Sequence, residues 1–106
     1  MWEYRAKIAK IVDGDTVDLD VDLGFHVTHR IRARLARIDT PEMNTAEGKT
    51  VRALLVERAP AGTDVIVATG KGDRYGRWIA EVILASGLNI SDWLLADGHA
   101  KPYAGS

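Results

Sequence analysis

Asp15 in the turn "DGDT", Arg34, the segment "DTPE" at residues 39–42, and Arg77 form a set whose residue types suit chemistry on a phosphate ester. Two separated carboxylates can share a hard divalent cation, two arginines can clamp a phosphate through bidentate hydrogen bonds, and a third carboxylate can activate water. Taken singly, each has a plainer reading. An arginine on an alternating strand is usually surface charge, and an aspartate before a glycine is usually a turn former.

Other constellations fail on spacing. The run "DGDTVDLDVDLG", residues 13–24, concentrates five aspartates in twelve residues. An EF-hand loop opening at Asp18 would need glycine at its sixth place and glutamate at its twelfth, where Leu23 and His29 stand. On an extended strand Asp18, Asp20 and Asp22 line one face about 6–7 Å apart, which suits solvent. His26 and His29 point to opposite faces of a strand, His99 is distant in sequence, and no cysteine completes a zinc set. "GKGDRYG" lacks the lysine followed by serine or threonine of a phosphate-cradling loop and reads as a flexible basic hairpin.

The frame for these residues is small. With 106 residues, 46% hydrophobic and 27% charged, the chain suits one compact domain, residues 1–106. Without cysteine there is neither a disulfide nor a thiolate metal site, so an apolar core must hold the fold, as suits a reducing compartment. Glu3, Arg5, Lys7 and Lys10 interrupt any signal-like apolar run, and no segment reaches membrane-spanning length. The expectation is a cytoplasmic monomer without a membrane partner, although a mature secreted form would read the same. A net charge of −1 argues mildly against nucleic acid, but Arg30, Arg32, Arg34 and Arg37 form one basic block and Lys71, Arg74 and Arg77 another.

Periodicity supplies the elements. Residues 3–12 read as a strand with Tyr4, Ala6, Ile8 and Lys10 on one side. Residues 16–23 alternate, with Val17, Leu19, Val21 and Leu23 opposite the aspartates. Gly24 and Phe25 turn the chain into a third strand, 27–35, where Ile31, Ala33 and Leu35 oppose Arg30, Arg32 and Arg34. The period then breaks at "ARID", a bulge or corner. A helix is expected over 46–59, with Val51, Leu54, Leu55 and Arg58 on one stripe and Pro60 as its stop. Strands at 62–69 and 76–86 follow. A short helix then starts at Asn89 or Ile90 and runs to Asp97, capped by Asn89 and stopped by Gly98. The fold class is mainly β within α+β. It is a five-stranded OB-fold barrel with a helix between strands 3 and 4 and a short helix after strand 5.

In the order and spacing of "VDGDTVDL", "RLARIDTPE", "DRYGRW" and "LLADGHAK", the chain resembles the staphylococcal nuclease (thermonuclease-like) family over residues 9–101. The resemblance implies an SNase-like OB-fold nuclease dependent on Ca²⁺, which Asp15 and Asp39 would coordinate with the backbone carbonyl of Thr40 nearby. It implies that Arg34 and Arg77 contact the scissile phosphate, and that Glu42 is the general base. It further implies that Arg74 and Tyr75 bind a terminal phosphate and that Tyr103 is an aromatic near the nucleotide. The implied substrate is DNA and/or RNA with little sequence preference, cut at P–O5′ to leave 3′-phosphate ends. The alternative on the same fold is a non-catalytic module binding single-stranded nucleic acid or protein, with Trp2, Tyr4, Phe25, Tyr75 and Trp78 as stacking candidates.

Overall fold

A computed structural model describes residues 2–72 and 74–103, excepting the Lys71 side chain. Asp73 of "GKGDRY" and the part of Lys71 in the second basic block therefore lie outside the described residues. The elements run β1 (Trp2–Asp13), β2 (Thr16–Asp22), β3 (Thr28–Leu35), β4 (Ile38–Asp39), α1 (Ala46–Arg58), β5 (Asp64–Gly72), β6 (Trp78–Leu84), α2 (Ile90–Ala96) and β7 (Lys101–Pro102).

Five strands close into a barrel in the order β1-β2-β3-β6-β5, the OB-type arrangement expected from the element order. Its pairings are antiparallel except β3 with β6, where Ala33 lies opposite Trp78 and Arg34 opposite Ile79. β1 serves two neighbours: Trp2 to Lys7 pair with β5, and Ala6 to Asp13 pair with β2. Register shifts between Ile8 and Lys10 and between Ile11 and Asp13 bend it from one partner to the other. The first shift corrects the expected phase, since Ile11 is buried and Lys10 exposed. Val17, Leu19 and Val21 are buried as their alternation requires, but Leu23, beyond the end of β2, is 50% exposed.

α1 is capped by Thr45, whose side chain accepts from the Gly48 N–H, and it buries Gly48, Val51 and Leu55. Leu54 is half-buried and Arg58 exposed, with its guanidinium over the Trp93 ring at 4.7 Å, so the buried stripe is narrower than expected. α2 has the expected cap, Asn89 accepting from Asp92 N–H. The core includes Ile8, Leu19, Leu35, Leu55, Val67 and Val82 inside the barrel and helix interface, with Ile90 and Leu94 contributed by α2.

Two features depend on partners distant in sequence. Asp18 and Asp20 face Arg32 and Arg30 directly across β2–β3 and form paired hydrogen bonds with them, so this face is a cross-strand ion ladder, not merely solvated carboxylates. The first basic block is correspondingly no basic patch. Arg37 is likewise engaged, by Glu81 and Asp92. In addition, Ile38–Asp39 and Lys101–Pro102 form a separate two-stranded sheet.

Candidate active site

Three segments from different parts of the chain meet beside the end of β3, and two glycines let them approach. The first is the tight turn at Gly14 between β1 and β2. A Cβ there would come 2.8 Å from Thr40 Oγ1 and 2.9 Å from Val51 Cγ1, so only glycine lets this turn sit against the 39–42 segment and α1. The second contact is at Gly48, where a Cβ would overlap the backbone carbonyl of Glu42. The same carbonyl accepts from Thr45 N at 3.0 Å and Thr45 Oγ1 at 2.6 Å. The cap of α1 thus holds the backbone that carries Glu42.

Arg34, Glu42, Arg77, Asp15, Asp39 and Thr40 line one hollow of about 230 Å³, joined by Asp13, Pro41 and Met43. Arg34 is the hinge of this arrangement. It lies on the outward phase of β3 yet is buried, and its Nη1 donates to the Leu35 carbonyl at 3.1 Å. Its guanidinium stands 3.6 Å from Asp15 Oδ2 and 3.7 Å from Asp39 Oδ1, bridging the two carboxylates. Asp15 also accepts from Thr16 Oγ1 at 3.2 Å and from Thr40 N at 3.3 Å. Arg77 enters from the start of β6, its Nη1 donating to Thr16 Oγ1 at 3.4 Å.

The aromatic and flanking residues are arranged around these arginines. The Tyr103 ring centroid lies 5.2 Å from the Arg34 guanidinium carbon, and Tyr75 lies between Arg77 at 5.5 Å and Arg74 at 5.3 Å. Tyr103 N donates to the Arg37 carbonyl, which ties the end of the chain to the corner before β4. Arg74 and Tyr75 are therefore joined to the hollow through Arg77 rather than lining it themselves.

Electrostatics divide the two aspartates of the turn. Burial raises the Asp13 carboxyl above its ordinary value, with its hydrogen bond and charge repulsion from Asp15 adding to the effect. Burial also works against charge on Asp15, but the hydrogen bond with Asp13, the Arg34 charge and the Thr40 N–H outweigh it and hold Asp15 below its ordinary value. The charged form is thus favoured more at Asp15 than at Asp13, whose Oδ1 accepts from Asp15 N at 3.1 Å and supports it.

Four carboxylates in the hollow face two guanidiniums, an excess of negative charge that a divalent cation would neutralise. Asp15, Asp39 and Thr40 bring hard oxygens to the lining, a donor type suited to calcium, and the Met43 thioether is the soft donor beside them. Among the described residues there is no cluster of three or more His, Cys, Asp or Glu placed to hold a metal, so most of the coordination would fall to water and substrate. The doubled "DGD" gives Asp13 as a turn residue supporting the site indirectly, not as a wall of the hollow, and the sequence does not single out Thr16 as the partner of Arg77 or the capping of Glu42 by Thr45.

The family model described as "Staphylococcal nuclease homologue" matches residues 32–106, from within β3 onward. An uncharacterised endonuclease of Escherichia coli O157:H7 is 27% identical over 101 residues, covering 95% of this chain and 62% of the relative. A micrococcal nuclease of Shigella flexneri is 36% identical over 80 residues, 76% of this chain and 42% of the relative. Endonuclease YhcR of Bacillus subtilis (strain 168) is 30% identical over 114 positions, 95% of this chain and 9% of the relative. The chain thus spans about three fifths, or less, of the length of these curated relatives.

Proposed function

The chain belongs to the staphylococcal nuclease homologue family, and from that membership and the hollow beside β3 we propose that it is a calcium-dependent nuclease hydrolysing phosphodiester bonds of DNA and/or RNA. The observation that carries the reading is the convergence of Asp15, Asp39 and Glu42 with Arg34 and Arg77 in one small polar hollow.

Asp15, Asp39 and the Thr40 carbonyl would hold the cation. When bound, the cation supplies charge neutralisation at the phosphoryl oxygens. Arg34 and Arg77 each present a planar fork of donors and would bind the non-bridging oxygens, gaining as negative charge builds on phosphorus. Arg34 is preorganised by its two aspartates and by the Tyr103 ring beneath it. Glu42 lines the same hollow and would take a proton from water as the water oxygen bonds to phosphorus. The P–O5′ bond breaks, the leaving O5′ gains a proton, and the products carry a 3′-phosphate and a 5′-hydroxyl. Arg74 and Tyr75, linked to Arg77 by ring stacking, would take a terminal phosphate.

One observation favours a module that binds without cutting. An apolar cavity of about 350 Å³ at one end of the barrel is lined by Trp2, Tyr4 and Trp78 among others, a surface on which bases could stack. That reading leaves the carboxylates and arginines of the hollow unused. Incubating end-labelled single-stranded DNA with the protein in calcium or in chelator separates the two. Cleavage confined to calcium, with ends that resist extension until a phosphatase acts, supports the nuclease. Retention of intact DNA in every divalent ion supports the binding module.

A further inference from the structure

The 39–42 segment has two sides. Arg34 and Arg77 lie across the hollow from it on one side. On the other, the same four residues form one wall of a groove of about 340 Å³, whose opposite wall is Gly98, His99, Ala100 and Lys101. That opposite wall is firmly held. His99 N and Ala100 N both donate to the Leu94 carbonyl, at 2.8 and 3.1 Å, and the His99 ring stands edge-on to Trp93 at 6.3 Å.

Lys101 sits directly opposite Asp39 in the antiparallel β4–β7 pair. Directly opposed residues project on the same face, so the Lys101 ammonium rises beside a wall of the hollow. Lys7, Arg30, Arg32 and Arg37 each hold a carboxylate within 4 Å. Lys101 is exposed and, like Lys10 and Lys49 among the described residues, forms no ion pair, but it alone of these three lines the groove. Asp39 instead approaches Arg34. A cation in no ion pair, at the rim of a groove that shares its 39–42 wall with the hollow, suits an anion brought in with the substrate.

We infer that Lys101 and this groove form a second phosphate subsite, which takes the phosphodiester adjoining the scissile one in a single nucleic-acid strand crossing the 39–42 wall. The inference rests on the nuclease reading of the hollow. With Arg74 beyond Arg77 on one side and Lys101 on the other, the strand is held on both sides of the cut, which favours cutting within a chain over trimming its end.

The test is binding of a fluorescein-labelled oligothymidylate 12-mer in calcium over a range of salt concentrations, with Glu42→Gln in every protein to prevent cleavage. Lys101→Ala should weaken binding roughly 5- to 10-fold at low salt and make the slope of log Kd against log salt shallower by about 0.7, the value for one phosphate contact on a single strand. Lys101→Arg should restore both. Lys7→Ala, an equal charge change at the Asp64 ion pair, should alter neither. A Lys101→Ala protein with the parent affinity and slope, or an equal loss in Lys7→Ala, overturns the subsite. Cleavage by the unsubstituted protein is followed in parallel. Cutting with an unaltered Lys101→Ala slope removes only the subsite, whereas no cutting in calcium removes the nuclease reading beneath it.

Discussion

Arg37 is the residue whose local conformation is hardest to explain from its own type. Its φ of 69° is in the left-handed region, uncommon for a side chain of this size. The chain needs that turn to leave β3 and present Asp39 to the hollow. The conformation is held by hydrogen bonds of Arg37 to both oxygens of Glu81 and to Asp92. Those bonds, aided by Asn89 and opposed by burial, hold the Glu81 carboxyl below its ordinary value of 4.5. A carboxyl lowered by folding binds protons more readily in the unfolded chain. Its stabilisation is therefore complete above the ordinary value and is lost as pH falls through the folded one. Urea midpoints should accordingly fall on acidification from about pH 5 to pH 3. Glu81→Gln should have a lower midpoint at neutral pH and a flatter profile over that window.

Ser91 makes the opposite prediction. Its side chain is fully buried at the start of α2, and its Oγ has no hydrogen-bond partner among the described residues. A buried unsatisfied hydroxyl costs about 1–3 kcal/mol. Ser91→Ala, which also improves helix propensity, should raise stability by about 1 kcal/mol in denaturant titration, and a loss of stability would mean that the hydroxyl has a role.

At the scale of elements, the barrel strands and the two helices were largely legible because their periods are regular. Val17 to Asp22 alternates without a fault, and Asn89 caps α2 as expected. What could not be read were features set by partners distant in sequence. The bulge after Ile8 reverses which residues of β1 face inward, and nothing local marks it. The pairing of Asp18 with Arg32 requires the β2–β3 register, and the β4–β7 sheet requires the barrel already to be closed. The residues that line the hollow include those the motif singles out, whereas their mutual distances, the contact of Thr16 with Arg77 and the cap on Glu42 were not legible.

That cap yields an element-level prediction. Thr45 both accepts from Gly48 N–H and donates to the Glu42 carbonyl. Thr45→Ala should cost about 1 kcal/mol of stability and reduce turnover. Thr45→Asp keeps the capping acceptor but cannot donate, so it should keep stability near that of the parent while turnover still falls. Thr45→Ser should restore both. Turnover that simply follows stability across the three variants would show the cap to be structural only.

At the scale of the whole molecule, a net charge of −1 gives no overall attraction for a polyanion, and Arg30, Arg32 and Arg37 are engaged by carboxylates. Arg34, Arg74, Arg77 and Lys101 are grouped about the hollow and its adjoining groove. Binding of single-stranded DNA should therefore show a modest salt dependence, with a log–log slope no steeper than about 3 if each of these cations neutralises one phosphate. A much steeper slope would mean that the strand follows a different surface.

The central claim is that the hollow beside β3 is a phosphodiester-hydrolysing centre. It is tested most directly by steady-state cleavage of single-stranded DNA in calcium by the unsubstituted protein and by Glu42→Gln and Arg77→Ala, each checked for an unaltered thermal transition. Glu42→Gln should lower kcat by about 10² to 10⁴, and Arg77→Ala by about 10² to 10³. Equal rates for all three well-folded proteins, or no calcium-dependent cleavage by the parent, would contradict the account.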